Sequence, residues 1–168
     1  NPLRGQNNVQ GCSDSGGLPN VFPGYQSVTD PEIKAKFERD WGVVLNPEAG
    51  LTTMEMVDAA EKGVIRGYYV MGENPMMSEP DLRHARHVME ELDFVLVQDI
   101  FMNETGEYAD IILPATSFAE KDGTFTNTER RIQRLRKAVE PPGEARQDWD
   151  IIQDISTRFG YPMSYSSP

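Results

Sequence analysis

Residues 67–99, GYYVMGENPMMSEPDLRHARHVMEELDFVLVQD, predict a β-strand, a turn, a helix and a second β-strand in succession. GYYVM (67–71) is rich in the aromatic and β-branched residues that favour strands. The helix after it carries an apolar stripe with members every three or four positions, at Leu82, Ala85, Met89 and Leu92. FVLV (94–97) is a continuous apolar run, which is typical of a strand buried on both faces of a parallel sheet. The stretch therefore indicates a βαβ unit.

The rest of the chain extends this alternation. It predicts helices over about 31–41, 53–62 and 149–159, a short helix near 103–108, a strand over 110–113, and either a hairpin or two edge strands over 123–126 and 131–135. Alternating strands and helices imply a mostly parallel sheet, so we predict a Rossmann-like α/β fold with three αβα layers. Residues 1–28 are rich in glycine, proline and amides without periodicity, which predicts an extended arm before an α/β domain over 29–168.

Composition excludes several classes of protein. The net charge of −11 argues against nucleic acid and anionic membranes as partners, because the chain has no excess of positive charge to neutralise phosphates. No apolar run approaches the ~20 residues of a membrane-spanning helix. Cys12 is the only cysteine, which excludes an internal disulfide and an iron–sulfur or zinc site built from this chain's thiols alone. Because the sequence starts at Asn1 without a methionine, we expect a segment of a longer protein.

Polar residues follow the two predicted strands, where open parallel sheets bind their ligands. Gly72 permits close approach of the backbone, Asn74 offers donors and acceptors, and Ser78 lies at a predicted helix start. These features favour a nucleotide base or a phosphate, with a tight and well-capped turn as the alternative. Gln98 follows the neighbouring strand and would converge with Asn74 on one ligand, although a polar residue at a strand end is also ordinary. The glycine-rich dinucleotide fingerprint is absent.

The stretch RGQNNVQG (4–11) combines a permanent cation with mixed donors and acceptors. Arg4 can bind a carboxylate or phosphate with two parallel hydrogen bonds. The amides beside it suit a heteroaromatic ligand that lies next to a small anion. The structural alternative is a loop held by its own amides.

Other candidates are weaker. His84 and His87 have a spacing that can hold a metal, but no third ligand is apparent and they fall off the apolar stripe, so we predict a surface position and no metal site. Cys12 is expected to be a small packed residue. Arg130 and Arg131, near Asn127, belong either to a solvated hairpin or to a contact with a phosphate or another domain.

Longer motifs resemble a known family. They are RGQNNVQG, PGYQ (23–26), YVMGENP (69–75), VQDIF (97–101), ADIILPATSFAEKDGTFTNTERRIQ (109–133) and RFGYPM (158–163). They resemble the catalytic alpha subunit of molybdenum- or tungsten-dependent formate dehydrogenases, within the molybdopterin oxidoreductases that use a bis-(pyranopterin guanine dinucleotide) cofactor. Nitrate reductases are the nearest alternative, because they share the EK-G-N-ERR-Q pattern.

The resemblance implies roles for individual residues. Arg4 matches the arginine that orients formate, and Gly5 and Gln6 would line the pterin. The residues that match the site for the guanosine end of one cofactor are Gly72, Glu73, Asn74, Ser78 and Gln98. The family often has Asp and Thr where this chain has Asn74 and Ser78. With Asn in place of Asp at position 74, we expect weaker hydrogen bonding to the N1–H and N2–H₂ edge of guanine.

The resemblance also implies what lies elsewhere. The cysteine or selenocysteine on the metal, its neighbouring histidine and the 4Fe–4S cluster would belong to other parts of the enzyme, and we expect this chain alone to lack formate dehydrogenase activity. The implied partners are the remaining domains of the same subunit, electron-transfer subunits and formate, with no nucleic acid and no membrane contact. We expect a cytoplasmic location, with the periplasm as the alternative. A non-catalytic nucleotide-binding or scaffold module of the same fold is the alternative from another class.

Overall fold

The computed structural model describes residues 6–168. Its helices are α1 (Val9–Asp14), α2 (Pro31–Trp41), α3 (Thr53–Glu61), α4 (Pro75–Ser78), α5 (Leu82–Glu91) and α6 (Asp148–Arg158). Its strands are β1 (Val21–Phe22), β2 (Gln26–Ser27), β3 (Gly67–Met71), β4 (Phe94–Asp99), β5 (Ile111–Pro114), β6 (Gly123–Thr126) and β7 (Ile132–Leu135). Short 3-10 helices cover Thr105–Tyr108 and Phe118–Glu120. The predicted α/β class is confirmed.

Contacts divide the chain into two compact units. The N-terminal unit comprises the chain up to Met54 together with Thr124–Arg134, and the sheet unit comprises Glu55–Gly123 together with Leu135–Pro168. This grouping differs from the predicted arm over 1–28 and domain over 29–168, because residues of the β6–β7 hairpin join the N-terminal unit. Within that unit the Thr126 N–H donates to Asn8 Oδ1 at 2.9 Å.

The sheet unit is built on three parallel strands in the order β3–β4–β5. Side chains of the central strand alternate between the two faces, as a strand requires. Val95 and Val97 are buried in one cluster with Ala85 and Met89 of α5. Leu96 lines a cleft with Ile151 and Ile155 of α6. Helix α5, the sheet and helix α6 therefore form three layers, as predicted.

Helix α5 starts later than its sequence signal predicted. Ser78 was expected to open the helix, but it ends the short helix α4, and Asp81 caps α5 by accepting from the backbone N–H groups of Arg83 and His84. Pro80 is the cause, because a proline disfavours the helical conformation in the residue that precedes it. Glu79 is accordingly extended, with φ −69° and ψ 139°. The backbone therefore leaves one helix and begins another between Ser78 and Asp81.

The N-terminal unit has its own apolar cluster. Phe22, Val28 and Phe37 are buried together, and the ring of Trp41 meets Phe22 edge-on at 5.9 Å between centroids. Helix α2 is capped by Asp30, whose side chain accepts from the N–H groups of Glu32 and Ile33, and it ends at Gly42 in the left-handed conformation. Between residues 6 and 28 the structure has a helical turn, α1, and the two-residue β1–β2 ladder, so this segment holds more local structure than the predicted arm.

Candidate functional site

The ends of β3 and β4 form the strand-end edge, which we define by Gly72, Asn74 and Gln98. Met71 pairs with Gln98 in the parallel register, and the Gly72 N–H donates to the Gln98 carbonyl at 2.9 Å. Gly72 has φ +63°, and a Cβ there would meet nothing within 4 Å, so the left-handed turn rather than crowding requires glycine. The two predicted segments thus lie side by side on the sheet.

Gln98 is fully buried and bonds to side chains from two other elements. Its Oε1 accepts the Tyr69 hydroxyl, and its Nε2 donates to Asp148 Oδ1 of α6 at 2.8 Å. Lys121 pairs with the other oxygen of Asp148 and donates to the Thr116 carbonyl at 2.9 Å. Burial and the charge of Asp148 raise the pKa of Tyr69. Gln98 therefore ties β4 to β3 and α6.

Asn74 is held by Thr105, the first residue of the 3-10 helix that follows β4, and by Glu104 just before that helix. The Thr105 hydroxyl donates to Asn74 Oδ1 at 2.7 Å, and Asn74 Nδ2 donates to Glu104 Oε2 at 2.7 Å. Thr105 is fully buried, whereas Glu104 is exposed. Glu104 and Thr105 were not among the predicted site residues, because they lie about thirty positions from Asn74 in sequence.

Glu73 and Ser78 are exposed and bond to each other, with Ser78 Oγ donating to Glu73 Oε1 at 2.8 Å. The expectation that Ser78 lies at the start of a helix is wrong, since Ser78 ends α4. Any contact from Ser78 to a ligand would come from its hydroxyl. Two of the predicted site residues, Arg4 and Gly5, lie outside the described residues.

The N-terminal unit contains a polar concavity, the amide pocket, with a volume of about 270 Å³. Its walls are residues 6–10, residues 125–128 and Gln133. Gln6, which the resemblance places near the pterin, is one of these wall residues. Amide oxygens and N–H groups together suit a ligand with alternating donors and acceptors. The contribution of the hairpin was missed, because it comes from residues more than one hundred positions away in sequence.

Arg130 has partners inside the N-terminal unit. It adopts φ +63°, which is unusual for a residue with a side chain. Its Nε lies 3.5 Å from Asp14 Oδ1, and its guanidinium lies 5.1 Å from the centre of the Tyr25 ring. The structure thus gives the largely exposed side chain of Arg130 an ion pair within the N-terminal unit.

The other sequence candidates are placed as follows. His84 is half-buried with Nε2 3.3 Å from Glu61 Oε1, and His87 is exposed. Residues 6–168 contain no group of three or more His, Cys, Asp or Glu side chains arranged to hold a metal ion. The expectation that Cys12 is packed is wrong, because α1 buries Gln10 and Ser13 and leaves Cys12 exposed. No helix within the described part of the chain has the length and apolar character needed to cross a membrane.

Comparison with known proteins gives relatives that match nearly the whole chain. The F420-dependent formate dehydrogenase subunit alpha of Methanocaldococcus jannaschii is 57% identical over 161 residues, which are 96% of this chain and 24% of that protein. The F420-dependent formate dehydrogenase 1 subunit alpha of Methanococcus maripaludis is 52% identical over 160 residues, which are 95% of this chain and 23% of that protein. The chain thus spans about a quarter of the length of these relatives.

A solved structure and a family profile agree with these matches. Acetylene hydratase from Pelobacter acetylenicus has a similar fold, with a TM-score of 0.62 at 23% identity, over 77% of this chain and 19% of that one. The sequence profile described as molybdopterin oxidoreductase matches residues 5–158, which is most of the chain. The chain therefore belongs to the molybdopterin oxidoreductase family.

Proposed function

We propose that this chain is part of the catalytic alpha subunit of a formate dehydrogenase, which oxidises formate to carbon dioxide. The observation that carries the proposal is the 57% identity with a formate dehydrogenase alpha subunit across 96% of the chain. Because the chain spans 24% of that relative, the remaining domains of the same subunit would complete the enzyme. Membership of the molybdopterin oxidoreductase family supports a molybdopterin cofactor, for which we propose the bis-guanine dinucleotide form with molybdenum or tungsten.

The guanosine end of one cofactor would bind at the strand-end edge. Support comes from the side-by-side ends of β3 and β4, from the open backbone at Gly72, and from the polar side chains of Glu73, Asn74 and Ser78 around it. Both the oxygen and the nitrogen of the Gln98 side-chain amide already bond within the chain. Gln98 would therefore hold the strand ends in place rather than bond to the nucleoside. These groups fit a purine nucleoside with donors and acceptors on its edge. None of them would need to coordinate the metal.

Arg4, Gly5 and Gln6 would lie at the reaction centre. A guanidinium stays charged at every working pH and matches the two oxygens of a carboxylate, so Arg4 would orient formate. The amide pocket, to which Gln6 contributes, offers the donor and acceptor mixture that a pterin ring needs. The metal cofactor, when bound, supplies the acceptor for the electrons that leave formate. This chain's own contribution is to bind and orient.

The test is the substitution Arg4→Ala in the whole subunit, with Arg83→Ala as the matched control on the exposed surface. We expect formate-dependent reduction of a viologen dye to fall at least about a hundredfold, because a mispositioned substrate loses orientation and charge stabilisation. Cofactor content should be unchanged, and the control should keep its rate. The chain alone, without metal cofactor, should not reduce the dye.

Two results would contradict this assignment. An Arg4→Ala subunit that keeps its formate turnover would remove the substrate-orienting role of Arg4. A loaded subunit that reduces nitrate and ignores formate would replace formate dehydrogenase with the nitrate reductase alternative.

A further inference from the structure

We propose that Glu104 supplies the carboxylate that recognises the donor edge of guanine in this chain, in place of an acidic residue at position 74. This inference rests on the proposed guanosine site at the strand-end edge. It assigns a specificity-determining role to a residue that was not among the predicted site residues.

The buried hydroxyl of Thr105 fixes the orientation of Asn74. Thr105 Oγ1 accepts the backbone N–H of Met76 at 3.2 Å, so its own proton is available to a second partner. That partner is Asn74 Oδ1, 2.7 Å away. Because Thr105 is fully buried, this order is enforced by the cost of leaving a buried polar group unpaired. Asn74 must therefore turn its Nδ2, a donor only, away from Thr105.

The outward Nδ2 of Asn74 meets Glu104 and holds it. Asn74 Nδ2 donates to Glu104 Oε2 at 2.7 Å, and this hydrogen bond, followed by the backbone bond of Glu104 itself, lowers the pKa of Glu104. Glu104 is thus an ionised carboxylate at neutral pH. A carboxylate has about four sites for accepting hydrogen bonds. One is used by Asn74 and a second by the backbone N–H of Glu104 itself, and the exposed side chain leaves the remaining sites facing solvent.

Guanine presents two adjacent kinds of donor, N1–H and the 2-amino group, which a carboxylate with free acceptor sites complements. Asn74 presents a donor in the direction of Glu104, so it is a poor acceptor for those groups. Asp99 at the end of β4 is less available, because it is half-buried and both of its oxygens accept, from the Ile100 N–H at 2.6 Å and from the Asn103 amide at 2.8 Å. Glu104 is therefore the better-placed carboxylate beside Asn74.

The experiment titrates the chain with GDP and with IDP, which lacks the 2-amino group, and follows binding by calorimetry. We expect the unaltered chain to prefer GDP by about tenfold, the effect of one hydrogen bond to a charged group. Glu104→Gln should lose that preference and bind GDP about as weakly as IDP. Glu107→Gln, on the same 3-10 helix and also exposed, is the matched control and should keep the preference. Far-UV circular dichroism and thermal unfolding confirm that each variant is folded.

A double variant separates a role in recognition from a loss of local structure. Asn74→Asp combined with Glu104→Gln returns one carboxylate to this pair of positions, and we expect it to restore much of the preference for GDP. If Glu104→Gln keeps the preference, the role of Glu104 is wrong while the guanosine site stands. If the unaltered chain binds neither nucleotide, the proposed guanosine site is wrong and the role of Glu104 falls with it.

Discussion

The strand-end edge and the amide pocket are both polar, but they are held in different ways. At the strand-end edge the groups behind the exposed side chains, Gln98 and Thr105, are fully buried. In the amide pocket Gln10 is buried and donates to Asp14 at 2.9 Å, but Gln6 and Asn7 are exposed, and Asn8 holds the hairpin through one bond from the Thr126 N–H. A polar site backed by buried, paired groups is arranged before a ligand arrives. We therefore expect the edge to be the more rigid and the less tolerant of substitution.

The largest effect that tests this comparison is expected for Gln98→Ala. The change removes a fully buried amide and leaves the Tyr69 hydroxyl and Asp148 without that partner. Leaving these partly buried polar groups without a partner and opening a cavity should lower the free energy of unfolding by about 2–3 kcal/mol. Urea unfolding measures it, with Gln133→Ala in the wall of the amide pocket as the control, expected within about 0.5 kcal/mol of the unaltered chain. Equal losses of stability in the two variants would contradict the expected difference in rigidity between the strand-end edge and the amide pocket.

A smaller effect is expected for Asn8, the residue that closes the amide pocket. Asn8 has φ +55°, and its side chain accepts the Thr126 N–H. Asn8→Ala loses the bond and places at φ +55° a residue that tolerates the left-handed region less well than asparagine, so we expect a loss of about 2 kcal/mol in the free energy of unfolding. Asn8→Gly loses only the bond and should cost about 1 kcal/mol. If the two variants are equally stable, strain at position 8 contributes nothing.

The smallest effect concerns pH and belongs to the sheet unit. Burial and the charge of Asp148 raise the pKa of Tyr69, so the folded state holds this proton more tightly than the unfolded chain does. The resulting stability is complete below about pH 10, the tyrosine value in unfolded chains, and is lost as the pH rises through the folded-state pKa. Urea midpoints between pH 8 and 11 should fall less steeply for Tyr69→Phe. The decline will not vanish, because burial also raises the pKa of Tyr68.

Local sequence pattern was sufficient for most of the fold. The apolar run at 94–97 and the stripe on α5 identified a buried strand and the helix that covers it, because both patterns follow directly from the periods of strand and helix. The start of α5 was misplaced, because Ser78 and Asp81 both carry a capping signal and Pro80 decided between them. Cys12 was misjudged, because a short helix without a clear stripe does not show which face it buries.

The candidate site divides in the same way. The shared position of Gly72, Asn74 and Gln98 at one edge of the sheet was predicted from topology, since parallel strands end at one edge. Their partners Glu104, Thr105 and Asp148 were not found, because those contacts join residues 30 to 50 positions apart in sequence. Such contacts depend on how the chain closes in three dimensions, and no local pattern records them.

The distribution of the two tryptophans has a practical consequence. Trp41 packs on Phe22 in the N-terminal unit, and Trp149 follows Asp148 at the start of α6 in the sheet unit, where its indole N–H donates to Gln147 at 3.0 Å. Each unit thus carries its own intrinsic fluorophore. Replacing either one with phenylalanine leaves a single emission signal that reports on one unit alone, so the order in which the two units melt becomes directly visible.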